Sequence, residues 1–371
     1  DTVARNKVGI SPIKSLLEAI NSIQTISDMQ TVYATTIGVS APFAGIGASP
    51  DLNDSSMNTA WVFPGGLGLQ RDYYLDEDTK SVEIRGQYID HIARMLQFVD
   101  YDEESAMTAA KRILELETKL AKPRLDKVES RDIRNFNNPR TLKELNAMTP
   151  VIDWDKFSAD LGITAPLESV LVMQPSYMVA LNSFLSTTSI EDIKTLMTWS
   201  TIDSAAGYLT TEIETANWEF YSKTLNGSKA QRAAEERALG TVNGSVGEAI
   251  GKLYVEAKFP PEAKEKAEKM IANVIKAFQS RIMALDWMSD ETKVKAVEKL
   301  DKFTVKIAYP DEWEDYSDLQ VIEGNSYAEN MMAVANWSSK ENISRIGQPV
   351  DKAEWGMPPQ TVNAYFNPMN N

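Results

Sequence analysis

Cysteine is absent from this 371-residue sequence, and histidine occurs once, as His91. Without cysteine the chain can form no disulfide, no thiolate nucleophile and no Cys-ligated metal site. A zinc site needs three or four ligands and commonly has two histidines one helical turn apart, whereas Gln87 and Met95 lie four residues either side of His91. We therefore predict a structural or surface histidine. A Ser-His-Asp arrangement stays open, although no G-x-S-x-G turn supports one.

Long apolar runs and an excess of basic residues are also missing. No run approaches the ~20 residues that span a bilayer. The chain has 38 basic against 53 acidic residues, a net charge of -15, whereas nucleic acids and anionic membranes attract clustered Lys and Arg. We therefore predict no nucleic-acid partner and no membrane insertion by this segment.

The first residues, Asp1-Thr2-Val3, are neither an initiator methionine nor a signal peptide. We interpret both ends of the sequence as cuts in a longer polypeptide. A hydrophobic fraction of 43% and a charged fraction of 25% are typical of a globular protein. The length is sufficient for two or more lobes with cores of their own.

Helical periodicity is the main pattern of the chain. A helix is predicted to start at Ser11-Pro12, because proline suits a first turn. Apolar spacing predicts helices over residues 79–100 and 102–122, the second acidic at its start and basic at its end. It predicts another over 260–285, and Ser289 is typical of an N-cap for a further helix to about residue 303.

A few segments are instead typical of strands and loops. Residues 30–42 and 57–70 are poor in charge and rich in Thr, Val, Ala and Gly, which favours strands or extended chain. Residues 304–308 are predicted as a short strand. The polar stretch 311–325 is the candidate domain boundary.

Two glycines four residues apart, Gly247 and Gly251, stand before Lys252 and superficially resemble a phosphate-binding loop. The spacing is one residue short, and Leu253 occupies the position of the magnesium-binding Ser or Thr. We favour a helix that carries both glycines on one face, where a second helix could approach closely. The acidic clusters of the chain lack the spacing of a calcium loop.

Several short, distinct blocks, most of which contain Gly, Pro, Trp or Tyr, are distributed along nearly the whole chain. In chain order they are Gly66-Leu-Gly-Leu-Gln-Arg-Asp-Tyr-Tyr-Leu75; Arg131-Asp132, Asn135, Asn138, Leu145, Pro150 and Ile152-Asp-Trp154; Gly247-Glu-Ala-Ile-Gly-Lys-Leu-Tyr-Val255 with Phe259; Asp286-Trp-Met288, Thr292-Lys293, Ala296, Lys299-Leu300 and Tyr309-Pro310; and Pro349-Val-Asp351, Glu354-Trp355, Met357, Pro359-Gln360 and Val362-Asn363-Ala364-Tyr365. Together they resemble the neprilysin and endothelin-converting-enzyme family of zinc metallopeptidases, in particular its bacterial oligopeptidases.

Three positions depart from the family pattern. The first block is one residue shorter and lacks a proline. Ala233 replaces a Trp and Ala308 replaces the Gly before Tyr-Pro. Neither of these two positions carries chemistry, so the resemblance stands.

The resemblance implies a mainly α fold with a few short strands. Residues 1–315 would form the large multi-helix cap lobe of a neprilysin-like peptidase, and residues 325–371 would form the first segment of its thermolysin-like catalytic lobe. In the family the two lobes enclose a chamber that admits peptides and small proteins. The parent protein would then be a zinc metalloendopeptidase, exported to the periplasm or the cell surface.

The same resemblance assigns a substrate-binding role to the last block. Asn363 would hydrogen-bond the substrate near the scissile bond, and Ala364 would bond it through its main chain. Both would belong to an edge strand, whose free N–H and C=O groups can pair with an extended peptide. Tyr365 and Phe366 would pack on opposite faces of that strand.

The family's zinc ligands, two histidines of H-E-x-x-H and a later glutamate, are missing from this chain. In the family the motif glutamate activates the zinc-bound water. The fragment alone is therefore predicted to be inactive, with the missing C-terminal catalytic segment and a peptide substrate as its partners. The alternatives are a non-catalytic helical peptide-binding or interaction module and an unrelated helical glycan-binding protein.

Overall fold

Helices dominate the computed structural model, which describes residues 2–36, 38–367 and 369. The α-helices are α1 (Thr2–Val8), α2 (Ser11–Asn21), α3 (Ile26–Thr36), α4 (Arg71–Leu75), α5 (Thr79–Gln97), α6 (Glu103–Ala121), α7 (Leu142–Met148), α8 (Trp154–Asp160), α9 (Pro175–Thr187), α10 (Ile190–Ala205), α11 (Thr211–Trp218), α12 (Ala234–Lys258), α13 (Pro261–Met283), α14 (Asp290–Asp301) and α15 (Tyr327–Ser344). Three short 3₁₀ turns and a π-helix, Glu219–Leu225, accompany them. The mainly α fold class is confirmed.

A small sheet accompanies the helices. Its strands are β1 (Ala44–Pro50), β2 (Asn58–Pro64), β3 (Pro139–Arg140) and β4 (Val170–Val172), in the order β1-β2-β4-β3. The β2–β4 pair is parallel and the other two pairs are antiparallel. Helix α15 closes the outer edge of β1, because the Asn342 side chain accepts from the Ala48 N–H (2.9 Å) and donates to the Ala48 carbonyl (3.1 Å).

The chain divides into two compact units. The first comprises Asp1–Asp51, Met57–Gln231 and Leu319–Gln348, and the second comprises Leu52–Ser56, Arg232–Asp318 and Pro349–Asn371. The assignment of residues 1–315 to a cap lobe and 325–371 to a catalytic lobe stays a prediction.

The first unit has an extensive apolar core. Helices α5, α6, α9 and α10 and the sheet contribute to one continuous cluster, whose largest fully buried side chains include Trp154, Trp199, Tyr88 and Tyr177. Helices α5 and α6 begin at well-formed caps, because the carboxylates of Asp78 and Asp102 accept from N–H groups in their first turns.

A carboxylate lies at the centre of this core. Glu117 on α6 is 3% exposed and accepts hydrogen bonds from the hydroxyls of Tyr74 (2.8 Å) and Tyr88 (2.7 Å) and from the Trp199 indole N–H (3.2 Å). Burial raises the pKa of this carboxyl to about 7. The two tyrosines and the tryptophan therefore fill the core and also provide hydrogen bonds to a carboxyl group that is costly to bury.

The same cluster explains the Gly66–Leu75 block. The Leu69 N–H donates to the Tyr74 hydroxyl (2.9 Å), which in turn donates to Glu117. A Cβ on Gly68 would lie 1.8 Å from the Tyr88 hydroxyl. Glycine is required there because a side chain and the Tyr88 hydroxyl cannot occupy the same space. The Gly66–Leu75 block therefore has a structural role in the packing of the core.

His91 is a core residue, as its structural interpretation predicts. Its ring is 4% exposed and stacks on Phe220, with ring centroids 4.7 Å apart. Its Nε2 lies 3.8 Å from Asp203 Oδ1 and has no hydrogen-bond partner within the described chain. Asp203 itself accepts from the Tyr221 hydroxyl (3.0 Å) and the Asn217 amide (3.1 Å).

The predicted helices are confirmed as α2, α5, α6, α13 and α14, the last with Ser289 as its N-cap. Two strand predictions are wrong. Residues 30–36 belong to helix α3, because Met29, Tyr33 and Thr36 recur at helical spacing and are buried there. Residues 304–308 do not pair as a strand, and Ala308 has φ +67°, outside the β region. Strand β2 falls within the extended segment predicted for 57–70.

Candidate substrate-binding segment

Helix α12 carries the two glycines of the Gly247–Lys252 motif. The backbone of Val246 departs from helical geometry (φ -134°, ψ 46°) and kinks the helix just before the first glycine. Gly247 and Gly251 follow one turn apart, both buried. Their spacing places them on one face, as the sequence predicts.

An extended segment, rather than a second helix, packs on this glycine face. A Cβ on Gly247 would lie 3.0 Å from Pro358 Cγ, and one on Gly251 would lie 2.6 Å from Pro359 Cδ. The predicted close approach is therefore confirmed, and the predicted helical partner is wrong. Two consecutive prolines suit the position, since they offer rigid apolar rings and have no N–H that needs an acceptor.

Gln360 fixes the segment to the helix. Its side-chain nitrogen donates to Asn243 Oδ1 (2.9 Å) and to the carbonyl of Gly247 (3.0 Å). Its buried Oε1 has no partner in the described part of the chain and would lie 2.9 Å from a Cβ on Gly251. Sequence reasoning missed Gln360 as an anchor, although its place after Pro358-Pro359 and opposite a Gly-x-x-x-Gly face is a usable signal.

A second contact joins α12 to residues 311–318. The Glu248 carboxylate accepts from the Glu314 N–H (2.8 Å), and the Tyr316 hydroxyl donates to Glu314 (3.0 Å). Burial raises the pKa of Glu248, while the hydrogen bond from the Glu314 N–H opposes the shift. The polar stretch that the sequence marks as a boundary is thus tied to the helix that holds the candidate segment.

Residues 361–367 follow the anchor and are exposed for most of their length, and Val362 is fully exposed. Both predicted site residues, Asn363 and Ala364, are exposed here. The Asn363 side-chain oxygen accepts from the Ala364 N–H (2.8 Å), and the Asn363 N–H donates to the Thr361 carbonyl (3.1 Å). Residues 361–366 are therefore accessible to solvent, while the Ala364 N–H is occupied by the side chain of its own neighbour.

The predicted edge strand is not formed in residues 361–367. A strand needs a neighbouring strand to bond, and no sheet among the described residues includes this segment. The bond from Asn363 to Thr361 closes a tight three-residue turn instead. The roles of Asn363 and Ala364 in binding substrate stay predictions.

Two aromatic side chains extend the segment. The Tyr365 hydroxyl accepts from the Gly356 N–H (3.0 Å), and its ring lies against that glycine. Phe366 packs at a tilt on Phe303, with ring centroids 5.8 Å apart. Both rings stay more than 40% exposed, so each is held at one edge and keeps apolar surface for further contact.

A cleft of ≈ 600 Å³ lies between α13, residues 304–312 and residues 352–355. The Lys264 ammonium is fixed within it: it donates to the Tyr309 carbonyl (3.1 Å), pairs with Asp311 (2.8 Å) and lies 4.3 Å from the centre of the Tyr309 ring. Lys306 donates to the Glu354 carbonyl. The Lys264 contacts fix residues 309–311 to α13, and the Lys306 bond reaches the segment that leads into Pro358-Pro359.

The described residues do not fit a zinc ion. They contain no group of three or more His, Asp or Glu side chains close enough to share a metal. His91 packs between aromatic rings in the core, away from any such group. In the part of the chain that the structure describes, no helix is long and apolar enough to cross a bilayer.

The family model described as Peptidase family M13 matches residues 1–310. The chain is 29% identical over 96% of its length to an endothelin-converting enzyme homolog of Locusta migratoria and 26% identical over 89% to human endothelin-converting enzyme 1. Zinc metalloprotease ZMP1 of Mycobacterium tuberculosis, solved in complex with an inhibitor, superposes with a TM-score of 0.92 at 32% identity.

The chain therefore belongs to peptidase family M13 and represents its N-terminal domain. It spans about half of the curated relatives: 50% of the locust protein and 44% of the human enzyme, while the match covers 99% of this chain and 56% of the mycobacterial one. The resemblance read from the sequence is confirmed.

Proposed function

We propose that the whole protein is a zinc-dependent metalloendopeptidase, in which this chain supplies the cap over the substrate chamber and one substrate-binding segment. The observation that carries the proposal is the anchored segment: Pro358, Pro359 and Gln360 are fixed on α12, and the exposed residues 361–366 follow directly. The relatives named as zinc metalloprotease and endothelin-converting enzyme support the reaction class. The family resemblance implies that the zinc ligands lie beyond the matched segment.

Asn363 and Ala364 bind substrate by exchange of one hydrogen bond for another. The Asn363 side-chain oxygen now accepts from the Ala364 N–H. When an extended peptide arrives, its carbonyl takes over the Ala364 N–H and the freed Asn363 amide bonds the peptide backbone. No bond within the described residues is left unmade by the exchange, so little desolvation cost opposes it.

Peptide recognition through the main chain gives a broad substrate range. Backbone groups are the same at every residue, so the segment selects for extended, unfolded chain rather than for sequence. Size selection then falls to the cap, as the family resemblance implies. The resemblance also supports a bacterial protein exported to the periplasm or cell surface.

Replacement of Asn363 by alanine in the whole protein is expected to lower kcat/KM for peptide hydrolysis by about 10- to 100-fold. Loss of one or two substrate hydrogen bonds is worth about 1–3 kcal/mol. Initial rates on a fluorogenic peptide measure the effect. Val362→Ala is the matched control, because Val362 is fully exposed beside the site, and its rate is expected to stay within about two-fold of wild type.

N-methylation of the substrate amide that the Asn363 side chain bonds refines this test. A peptide that cannot donate there should be cleaved at the same reduced rate by the wild type and by Asn363→Ala. A full Asn363→Ala effect on the methylated peptide would show that Asn363 acts elsewhere.

The isolated chain 1–371 is expected to show no chelator-sensitive peptidase activity, because its described residues cannot assemble a zinc site. The measurement compares purified chain and whole protein on one peptide, with zinc quantified in both samples. The whole protein should hold about one zinc per molecule and lose activity with a chelator. Chelator-sensitive hydrolysis by the pure 371-residue chain would contradict the assignment of catalysis to the other half.

A further inference from the structure

The candidate segment forms one closed loop, whose ends are joined because the Tyr365 hydroxyl accepts from the Gly356 N–H (3.0 Å). Within the loop, the Thr361 N–H donates to the Pro358 carbonyl (3.0 Å) in a β-turn. The Asn363 N–H then donates to the Thr361 carbonyl (3.1 Å) in the next turn. Because each turn begins where the previous one ends, a displacement at the start of the loop also moves Asn363.

Two kinds of contact hold the closed loop on α12, and they differ in direction. The rings of Pro358 and Pro359 pack on the glycine face of the helix. Apolar packing is non-directional, so it holds the loop against the helix but tolerates sliding along the helix axis. The Gln360 amide instead donates to Asn243 Oδ1 (2.9 Å) and to the Gly247 carbonyl (3.0 Å). These bonds fix the position of the loop along the axis, because hydrogen bonds weaken steeply as their geometry departs from ideal.

The orientation of the Gln360 amide has an energetic cost. Its nitrogen donates to two acceptors on α12, while its buried Oε1 has no partner in the described part of the chain. A buried acceptor without a donor is unfavourable, so its presence calls for a compensating role. Of the two acceptors on α12, the Gly247 carbonyl belongs to the main chain and is provided by any residue type. Asn243 is thus the side chain that selects this orientation.

We propose that Asn243 is a positioning residue of the peptidase and sets the register in which a bound peptide is cleaved. Asn243 fixes Gln360, and the closed loop passes this position on to Asn363 and Ala364. A substrate held through its main chain offers the same groups at every residue, so its sequence does not select the bond that is cleaved. The selection then depends on where Asn363 and Ala364 lie along α12. This inference rests on the proposed function.

The register of cleavage is sensitive to small displacements of the closed loop. Successive residues of an extended peptide lie ~3.3 Å apart, and a displacement near 1 Å at a positioning group already costs about 10²-fold in rate. Without the bond to Asn243, the loop settles at several positions along α12, and each presents the bound peptide differently to the catalytic centre. The rate at the main bond then falls, and neighbouring bonds of the peptide are cut as well.

Asn243→Ala in the whole protein tests the proposal on one peptide whose products are separated by mass spectrometry. We expect kcat/KM at the main bond to fall by about 10-fold, and the share of products cut at neighbouring bonds to rise by at least about three-fold. Asn243→Asp keeps an acceptor for the Gln360 amide and should restore the wild-type product pattern. Val242→Ala is the matched control: Val242 is adjacent on α12 and 38% exposed, and its replacement should leave the pattern unchanged.

A double-mutant cycle with Gln360→Ala separates positioning from stability. If Asn243 acts through Gln360, the double variant should show the product pattern of either single variant, with no further loss of rate. A lower melting temperature of Asn243→Ala with the wild-type product pattern would show a structural role alone and overturn this inference. The same pattern change in Asn243→Asp would overturn it too, because that variant keeps the acceptor. A wild-type protein that cleaves no peptide would instead overturn the proposed function, and this inference with it.

Discussion

Replacement of Glu117 by alanine is expected to lower the free energy of unfolding of the first unit by about 3–5 kcal/mol. Alanine would leave the hydroxyls of Tyr74 and Tyr88 and the indole N–H of Trp199 without their acceptor. Each buried donor without a partner costs about 1–3 kcal/mol, and a cavity adds to the loss. Urea unfolding followed by tryptophan fluorescence measures the change, since Trp199 reports on the site.

The Glu117→Gln variant separates shape from charge and has a defined pH dependence. The folded-state pKa of Glu117 is raised to about 7 from 4.5, so its contribution to stability is complete below about pH 4.5 and is lost as the pH rises through 7. At 1.36 kcal/mol per pKa unit, the wild type loses roughly 3 kcal/mol over this range, and Glu117→Gln does not. The variant should therefore gain on the wild type as the pH rises.

The measurement is the difference in unfolding free energy between wild type and Glu117→Gln at pH 5, 6, 7 and 8. The two proteins differ only at residue 117, so the difference reports on the Glu117 carboxyl. A difference that stays constant from pH 5 to 8 would show that burial does not hold the proton on Glu117.

Replacement of Gly251 by valine is expected to reduce kcat/KM of the whole protein by about 100-fold. A Cβ alone would lie 2.6 Å from Pro359 and 2.9 Å from Gln360 Oε1, so the segment must move away from α12. A displacement near 1 Å at a substrate-positioning group costs about 10²-fold in rate. Stability should fall by only about 1–3 kcal/mol, because the strain is local.

Gly240→Val is the control for Gly251→Val. Gly240 lies on the same helix, and a Cβ there would meet no atom within 4 Å. Valine is tolerated in a helix at least as well as glycine, so rate and stability should match the wild type. Folded Gly251→Val enzyme with wild-type kcat/KM would show that the position of residues 358–367 does not matter for catalysis.

Most of the fold could be predicted from the helical periodicity of the sequence. Helices α5, α6, α13 and α14 follow from apolar spacing and capping residues that act locally. Strand β1 (Ala44–Pro50) was missed because Ala-Gly-Ile-Gly-Ala has little β propensity, and its pairing with β2 comes from tertiary contact. The strand prediction for residues 30–36 was wrong for the converse reason, because the β-branched residues of this segment belong to a helix that packs into the core.

The candidate site was predictable in part. The glycine spacing on α12 predicted that another segment packs closely on this face. It could not identify that segment, because the two prolines lie more than a hundred residues later in the sequence. The Asn363–Ala364 motif came from the family resemblance. The conformation of this segment could not be predicted in the same way. An edge strand forms only beside a partner strand, and the described sheet contains no partner for this segment.

One departure from the family pattern has a physical cost. Ala308 stands where the family has glycine, and its φ of +67° lies in the left-handed region. An L-residue with a Cβ pays roughly 1–2 kcal/mol there. The sequence shows the substitution, but only the backbone angle shows that it strains the turn before Tyr309-Pro310.

The contact between α15 and the β1–β2 hairpin has a kinetic consequence. Asn342 bonds Ala48, and the Gly347 N–H and Gln348 carbonyl bond the backbone of Asn58. These partners are separated by about 290 residues, so their closure has a high contact order and is slow. On the ribosome, the first strands emerge long before α15 exists to cover them. The edge of the nascent hairpin can then pair with the wrong strand. This exposure ends only when residues 327–348 have been synthesised and cover the edge.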